Sequence, residues 1–210
     1  MIRVCVVDDH AVVREGLKRI IAESPGMAVT AEASDGIEAL KVVQKESCDV
    51  VLLDITMPNK NGLDVLKQLH TEIPRLPVLV LSMHSEDQYA VRVLRAGAAG
   101  YLTKESAPAK LVQAIRKVVR GGKYVSPTLA EKLVYDLHSD SSKAPHEILS
   151  DREYQVLCMI ASGKTVTMIA AELGLSVKTI STYRVRILEK LNMQNNAELT
   201  RYAIKEGLVD

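Results

Sequence analysis

Five side chains stand where chemistry would need them. Asp8 and Asp9 follow the apolar run Ile2–Val7, and Asp54 follows Val50–Leu53. Ser82 and Lys104 follow Pro77–Leu81 and Ala98–Leu102. If these runs are parallel strands of one sheet, all five groups end at the same edge. Carboxylates gathered there repel and take up protons unless a cation holds them ionised. Hard oxygen donors with room for water suit Mg²⁺. A carboxylate nucleophile, a divalent cation, a lysine and a hydroxyl together fit phosphoryl transfer onto a carboxylate, where positioning and charge neutralisation carry the catalysis. Asp54 is then the phosphoacceptor, with Asp8 and Asp9 as metal ligands. Lys104 and, after transfer, Ser82 contact phosphoryl oxygens. Asp8 or Asp9 alone is as well explained as the end of a strand capping a helix, and Lys104 alone as a surface lysine. It is the complete set that points to a site.

The elements that must position these groups alternate along residues 1–122. The apolar runs named above, with Met27–Ala33, are rich in β-branched residues, and several are apolar on both faces, as buried parallel strands are. Helix-period stripes lie between them: Val12, Gly16, Leu17, Ile20 and Ile21; then Ile37, Leu40, Lys41 and Val43–Gln44; then Leu63, Leu66 and Leu69; then Leu111, Ala114, Ile115 and Val118. Asp35 and Glu38 have capping-box spacing. Five β/α units predict a doubly wound α/β domain with its ligands at the carboxyl ends of the strands.

Bulk properties bound the remaining choices. The chain has 210 residues, 47% of them hydrophobic, and neither Phe nor Trp, so its cores must be built from Leu, Ile and Val with some Met. A net charge of +1 argues for no particular partner. Cys5, Cys48 and Cys158 are widely spaced and read as buried apolar residues rather than disulfides or a metal site, which suits a reducing compartment. The apolar start is too short for a signal-peptide core, and no run approaches the roughly 18 residues of a membrane span. A soluble, cytoplasmic chain without membrane contact is expected.

After Gly121–Gly122, Ser126–Pro127 opens a further helix. The polar stretch His138–His146 reads as a linker, giving 123–147 as the connection and 148–210 as a second, all-helical domain. Ser150 with Glu153, and Asn195 with Glu198, have capping-box spacing. Thr165–Leu173 and the helix capped by Ser176 flank Gly174. Ala170, Gly174 and Ile180 have helix-turn-helix spacing: a small residue at the crossing, a turn residue at ease with positive φ, and an apolar anchor. From Ser176 to Asn192, Lys178, Arg184, Arg186 and Lys190 stand against Glu189, a local +3 suited to phosphate. Ile180, Ile187, Leu188 and Leu191 are expected on the buried face. Lys178, Thr179, Ser181, Thr182, Val185 and Arg186 are expected toward DNA, with Val185 suited to a thymine methyl. Arg184 lies by spacing near the buried face, from which it snorkels to a phosphate. An ordinary helical hairpin with a solvated basic face remains open on spacing alone.

Asp54-Ile55-Thr56-Met57-Pro58 with Gly62 beyond it, the run Asp8-Asp9-His10, and Ser82, Gly97, Tyr101 and Lys104 together resemble the receivers of bacterial two-component response regulators. Glu105 stands where many receivers have Pro. Leu149-Ser150-Asp151-Arg152-Glu153 and Ile169–Leu191 resemble the LuxR-type helix-turn-helix of the NarL/FixJ regulators, and Tyr183-Arg184-Val185-Arg186 more closely resembles the GacA/UvrY-like branch. Many members have an apolar residue followed by a basic one where this chain has Arg184 then Val185.

The resemblance implies a flavodoxin-like (βα)5 receiver followed by a four-helix effector. It implies a sensor histidine kinase as donor and the backbone carbonyl of Thr56 joining Asp9 and Asp54 on the metal. It implies Ser82 and Tyr101 as a switch pair. It also implies dimerisation through the last helix, at Asn195, Glu198, Leu199 and Tyr202. The expected function is a transcription regulator, not an enzyme, that accepts a phosphoryl group and binds promoter half-sites as a homodimer, with RNA polymerase as a further partner. Three readings compete. A haloacid-dehalogenase-like phosphotransferase would need an acid where Thr56 stands. A DNA-binding protein gated without phosphate would not need the full acid, lysine and serine set. A protein adaptor would not need the basic helix.

Overall fold

The computed structural model describes every residue except Asn59, His84, Ser85, Ala107, residues 132–143 and Asp210, and only the backbone of 86–88. Two compact units divide the chain, Met1–Leu133 and Val134–Asp210. Most of the expected linker stretch His138–His146 lies outside the described residues.

The first unit alternates strands and helices: β1 Ile2–Val7, α1 Ala11–Ala22, β2 Met27–Ala33, α2 Gly36–Lys45, β3 Val50–Asp54, α3 Gly62–Glu72, β4 Val78–Ser82, α4 Glu86–Arg95, β5 Gly100–Thr103 and α5 Pro108–Val119. The strands pair in parallel in the order β2-β1-β3-β4-β5. This is the flavodoxin-like doubly wound order, and its reversal point lies between β1 and β3. Every residue of β3 and β4 is buried. Helices cover both faces, which is why these strands are apolar throughout instead of alternating. One face packs Val4, Val6, Val50, Leu52, Leu79 and Leu81 against Leu17, Ile21, Leu111 and Ile115.

Two stripes differ from expectation. In α1 Val12 is exposed and Gly16 faces solvent, while Leu17 and Ile21 are buried and Val13 and Ile20 pack on the core. The true stripe starts one residue later, at Val13. In α2 the buried residues are Gly36, Ala39 and Val43, and Ile37 is exposed. A Cβ at Gly36 would lie 2.6 Å from the Lys60 carbonyl, so α2 approaches its neighbour on its small residues, not its large ones.

The two sheet edges are irregular. The β1–β2 register shifts between Val4 and Cys5, leaving Thr30 unpaired in it. At the other side Tyr124 N donates to the Ala99 carbonyl and Tyr101 N to the Tyr124 carbonyl. The first unit therefore continues past the expected end at residue 122, and Leu129, in the helical residues 127–131, is buried. The Ser126 hydroxyl accepts from Leu129 N, capping that turn as expected.

The described part of the second unit is all helical: a 3₁₀ turn Pro145–Ile148, then α6 Asp151–Ala161, α7 Val166–Leu173, α8 Val177–Leu191 and α9 Asn196–Lys205. The Ser150 and Glu153 capping box is complete. Thr165 and Ser176 cap α7 and α8 by accepting from Met168 N and Thr179 N. Gly174 takes the left-handed conformation at φ 62°, and Leu175 N closes back on the Ala170 carbonyl. Ile169, Ala170, Leu173, Ile180, Ile187 and Leu199 are buried. Lys190 Nζ reaches the buried Glu153 carboxylate at 2.7 Å. Burial pushes the Glu153 carboxyl up, but Lys190 and the Ser150 cap outweigh it and hold the group below its usual range. Among the described residues no helix is long and apolar enough to cross a membrane.

A Cβ on Gly62 would sit 1.9 Å from the Asp54 carbonyl oxygen, a backbone atom that cannot step aside, whereas one on Gly16 meets nothing within 4 Å. Urea unfolding should show Gly62→Ala losing at least the ~1–3 kcal/mol of an overpacked core. Gly16→Ala, inside exposed helix, should gain up to about 1 kcal/mol. For Glu153 the depressed carboxyl means that its stabilisation is present above the unfolded-state pKa and lost as pH falls through the folded one. Lys190→Ala should therefore lower stability at pH 7 by about 0.5–1 kcal/mol, a modest figure because Lys190 is partly solvated, and thermal melts should show the deficit shrinking in acid.

Candidate functional site

Parallel register brings the carboxyl ends of β1, β3 and β5 to one edge. Asp8 is 1% exposed, Asp54 2% and Ser82 0%, so the site is sunk into the sheet edge. Lys104, just past β5, places Nζ 2.7 Å from Asp8 Oδ2 and 2.7 Å from Asp54 Oδ2. The other Asp54 oxygen accepts from Thr56 N at 3.2 Å. The backbone of Lys104 is fixed too, since its N–H donates to the Ser82 carbonyl at 2.8 Å. Tyr101 is fully buried in β5.

Three carboxylates against one ammonium leave the site electron-rich. Burial pushes the Asp54 carboxyl up to about 6; the Lys104 charge and hydrogen bond oppose this, and the Asp8 charge adds to it. Burial pulls the Lys104 ammonium down, but Asp54 and Asp8 together outweigh it and leave it raised. Ligand atoms of Asp8, Asp9, His10 and Asp54 lie within 4.8 Å of one another. Hard carboxylate oxygens with uncompensated negative charge fit a small divalent cation.

Three supporting features were not assigned from sequence. His10 Nδ1 approaches Asp9 Oδ1 to 2.8 Å and Asp8 Oδ1 to 3.4 Å, and His10 N donates to Asp8 Oδ1. Its adjacency to the acid pair was the available signal. Arg14, one helical turn further on, donates to the Asp8 carbonyl at 2.7 Å. Asn61 is buried and accepts from Leu63 N, fixing the start of α3 beneath Asp54.

On the second unit, Lys178, Thr182, Val185 and Arg186 are exposed along α8, and Thr179, Ser181 and Arg184 are partly exposed. Thr179 Oγ1 lies 2.8 Å from the Ser176 hydroxyl, within the cap, and Thr182 Oγ1 donates to the Lys178 carbonyl. Two expected phosphate cations are already engaged: Arg184 Nε donates to Asn196 Oδ1, and Lys190 holds Glu153. Leu188 is only partly buried.

Of the residues expected at a dimer interface, Asn195 and Glu198 are exposed and Tyr202 is partly exposed. Leu199 is fully buried in its own domain. Tyr202 Oη lies 2.9 Å from His146 Nδ1 and accepts from His146 N. Asn195 accepts from Glu198 N, and Glu198 accepts from Gln194 N. The apolar side of α9 is occupied by packing on α6, and its capping residues by capping. The exposed residues of α9 include Glu198, Arg201 and Ile204.

Comparison with known proteins agrees with both halves. Residues 4–116 match the response regulator receiver domain, and residues 147–203 match the bacterial regulatory proteins of the luxR family. The chain is 42% identical to the response regulator GacA of Pseudomonas protegens, over 100% of this chain and 99% of that one. It is 38% identical to the response regulator UvrY of Escherichia coli K12, over 99% and 96%. Among solved structures, RcsB of Salmonella enterica serovar Typhimurium, bound to promoter rprA in the presence of the phosphomimetic BeF3−, superposes with a TM-score of 0.65 at 27% identity, covering 96% of this chain and 97% of that one. The chain belongs to the response regulators, in the group that joins a receiver domain to a LuxR-type DNA-binding domain.

Proposed function

We propose that Asp54 accepts a phosphoryl group from a sensor histidine kinase and that the acyl phosphate controls dimerisation and promoter binding. The observation that carries this is the buried Asp54 carboxylate held by Lys104 at the carboxyl edge of the sheet, beside two further acids. Asp8, Asp9 and Asp54, with the Thr56 carbonyl, would hold Mg²⁺, which when bound supplies charge neutralisation for the incoming phosphoryl oxygens. Asp54 supplies the nucleophilic oxygen. Lys104 orients that carboxylate before transfer and then faces a phosphoryl oxygen. Ser82 offers its hydroxyl to another, and Tyr101 follows it as the second member of the switch.

In this reading the first unit, Met1–Leu133, is the phosphoacceptor domain, and residues 148–210 of the second are the effector. In the effector, Lys178 and Arg186 meet phosphates, and Arg184 does so only by giving up its bond to Asn196; Ser181, Thr182 and Val185 approach base edges, with Thr179 at the helix entrance. The domain works in the cytoplasm, where kinase, DNA and RNA polymerase meet it. The chain acts as a phosphoryl acceptor, not as an enzyme with an external substrate.

Incubation with acetyl phosphate and Mg²⁺, followed by mass spectrometry, should add one phosphoryl group to the wild type and none to Asp54→Asn. Equal modification of both would move the acceptor elsewhere, and no modification of a folded, magnesium-loaded wild type would favour gating without phosphate. The raised carboxyl of Asp54 gives a second expectation. A raised acid adds stability below its unfolded-state pKa and loses it as pH rises through about 6. In EDTA at pH 7.5, Asp54→Asn should be more stable than wild type by about 1–3 kcal/mol, and the two should converge near pH 4 in melting experiments.

A further inference from the structure

The solvent faces of the first three receiver helices mix signs. In α1, Lys18 pairs with Glu15 and Glu32, Arg14 with Glu32, and Arg19 with Glu23. Glu38 and Lys41 share α2, as Asp64 and Lys67 share α3. α5 breaks the pattern. From residue 106 to residue 130 the chain carries Lys110, Arg116, Lys117, Arg120 and Lys123 and no acid. Leu111, Ala114, Ile115 and Val118 are the buried side of the helix. Opposite them Gln113, Arg116, Lys117 and Arg120 line a shallow hollow of about 610 Å³ that contains no acidic residue. Among the described residues these three cations have no carboxylate partner. Arg116 gives one weak bond to the Pro25 carbonyl at 3.3 Å, and Lys117 lies 5.8 Å from the Tyr124 ring.

Cations are favoured in the last turn of a helix by its dipole, which accounts for Arg116 and Lys117. It does not account for a stretch of 25 residues without an acid. The contrast with the effector sharpens the point. Over residues 144–209, eight Lys and Arg stand against seven Asp and Glu. Lys190 is bound to Glu153, Lys164 to Glu172 and Arg184 to Asn196. On α8 only Lys178 and Arg186 remain as exposed cations outside such contacts. The described part of the DNA-binding half is thus close to neutral, and among the described residues the α5 stretch carries more unpaired cations than α8.

We propose that the outward face of α5 is a second DNA-contact surface, on which Arg116, Lys117 and Arg120 neutralise backbone phosphates of the duplex the effector holds. A polyanion is the partner whose charge density matches a one-sign face. Arg116 and Lys117 lie in the last turn of α5, and Arg120, just past its end, lines the same hollow, so all three can face one phosphate strand. The effector and α5 share one chain, so DNA held by the first raises the phosphate concentration around the second. The contact is sequence-independent: it adds affinity and salt dependence without adding a base preference.

The test titrates the full chain, with acetyl phosphate and Mg²⁺ present, onto a random-sequence duplex of 60 base pairs at several salt concentrations. Wild type is compared with the triple variant R116A/K117A/R120A, and equal phosphoryl loading serves as the fold control. With about 0.9 counterions released per phosphate, removing three contacts should flatten the slope of log K against log salt by roughly 2–3. Wild type should then lose about 40-fold more affinity than the variant between 50 and 200 mM salt. Equal slopes overturn the proposal. Equal slopes with slower phosphotransfer from the kinase, or with lost pelleting on phosphatidylserine vesicles, also overturn it and assign the face to an acidic protein or a lipid surface. A wild type without duplex affinity overturns it together with the DNA-binding reading, whereas equal slopes leave that reading intact.

Discussion

One ammonium group, Lys104 Nζ, is shared at 2.7 Å between two buried carboxylates that come from strands far apart in sequence. Bringing these charges out of water costs several kcal/mol for each ion, and such groups are rarely the most stabilising choice for a core. The cost is tolerable only because the sheet delivers all three to one place with their bonds made. Asp54 accepts from Thr56 N, Asp8 is braced by His10 and Arg14, and the Lys104 backbone is tied to Ser82. The parallel order sets this geometry, and the apolar strands behind it keep it dry. Both Asp54 oxygens have donors, yet burial outweighs them and pushes its carboxyl up to about 6. A buried carboxylate in this setting gains most from a further positive charge.

The acidic edge was readable in the sequence because its residues sit immediately after apolar runs. Strand period and strand polarity place such residues without knowledge of packing, so Asp8, Asp54, Ser82 and Lys104 converge in the structure. The helix caps were readable for a similar reason: Ser150, Ser176 and Asn195 act on amides three residues away. The α1 and α2 stripes were displaced because Gly36 and Gly16 look alike in a sequence. Only the packed structure shows that Gly36 lies against Lys60 while Gly16 faces water. The fates of Lys190, Leu199 and Tyr202 depend on Glu153, on the packing of α6 and on His146, separations of tens of residues that no local pattern carries.

The effector domain shows how a 60-residue unit with a small core holds its shape. Each helix begins on a side chain that accepts from its first turn, and α7 and α8 end on left-handed residues, Gly174 and Asn192. These caps set the angle between α7 and α8 and so the presentation of Thr182, Val185 and Arg186. Because Arg184 and Lys190 are committed to contacts inside the domain, the reading face of α8 is narrower and less charged than its composition suggests.

The irregular sheet margins constrain how copies of this chain can meet. An open, straight strand edge invites another strand by backbone hydrogen bonding, the usual route to fibres. Here β2 carries a register break at Thr30, and β5 is partly occupied by Tyr124. A regulator brought to high local concentration on a promoter is thereby steered away from sheet extension. If copies associate as proposed, the contact runs through helix surfaces and not through strand pairing.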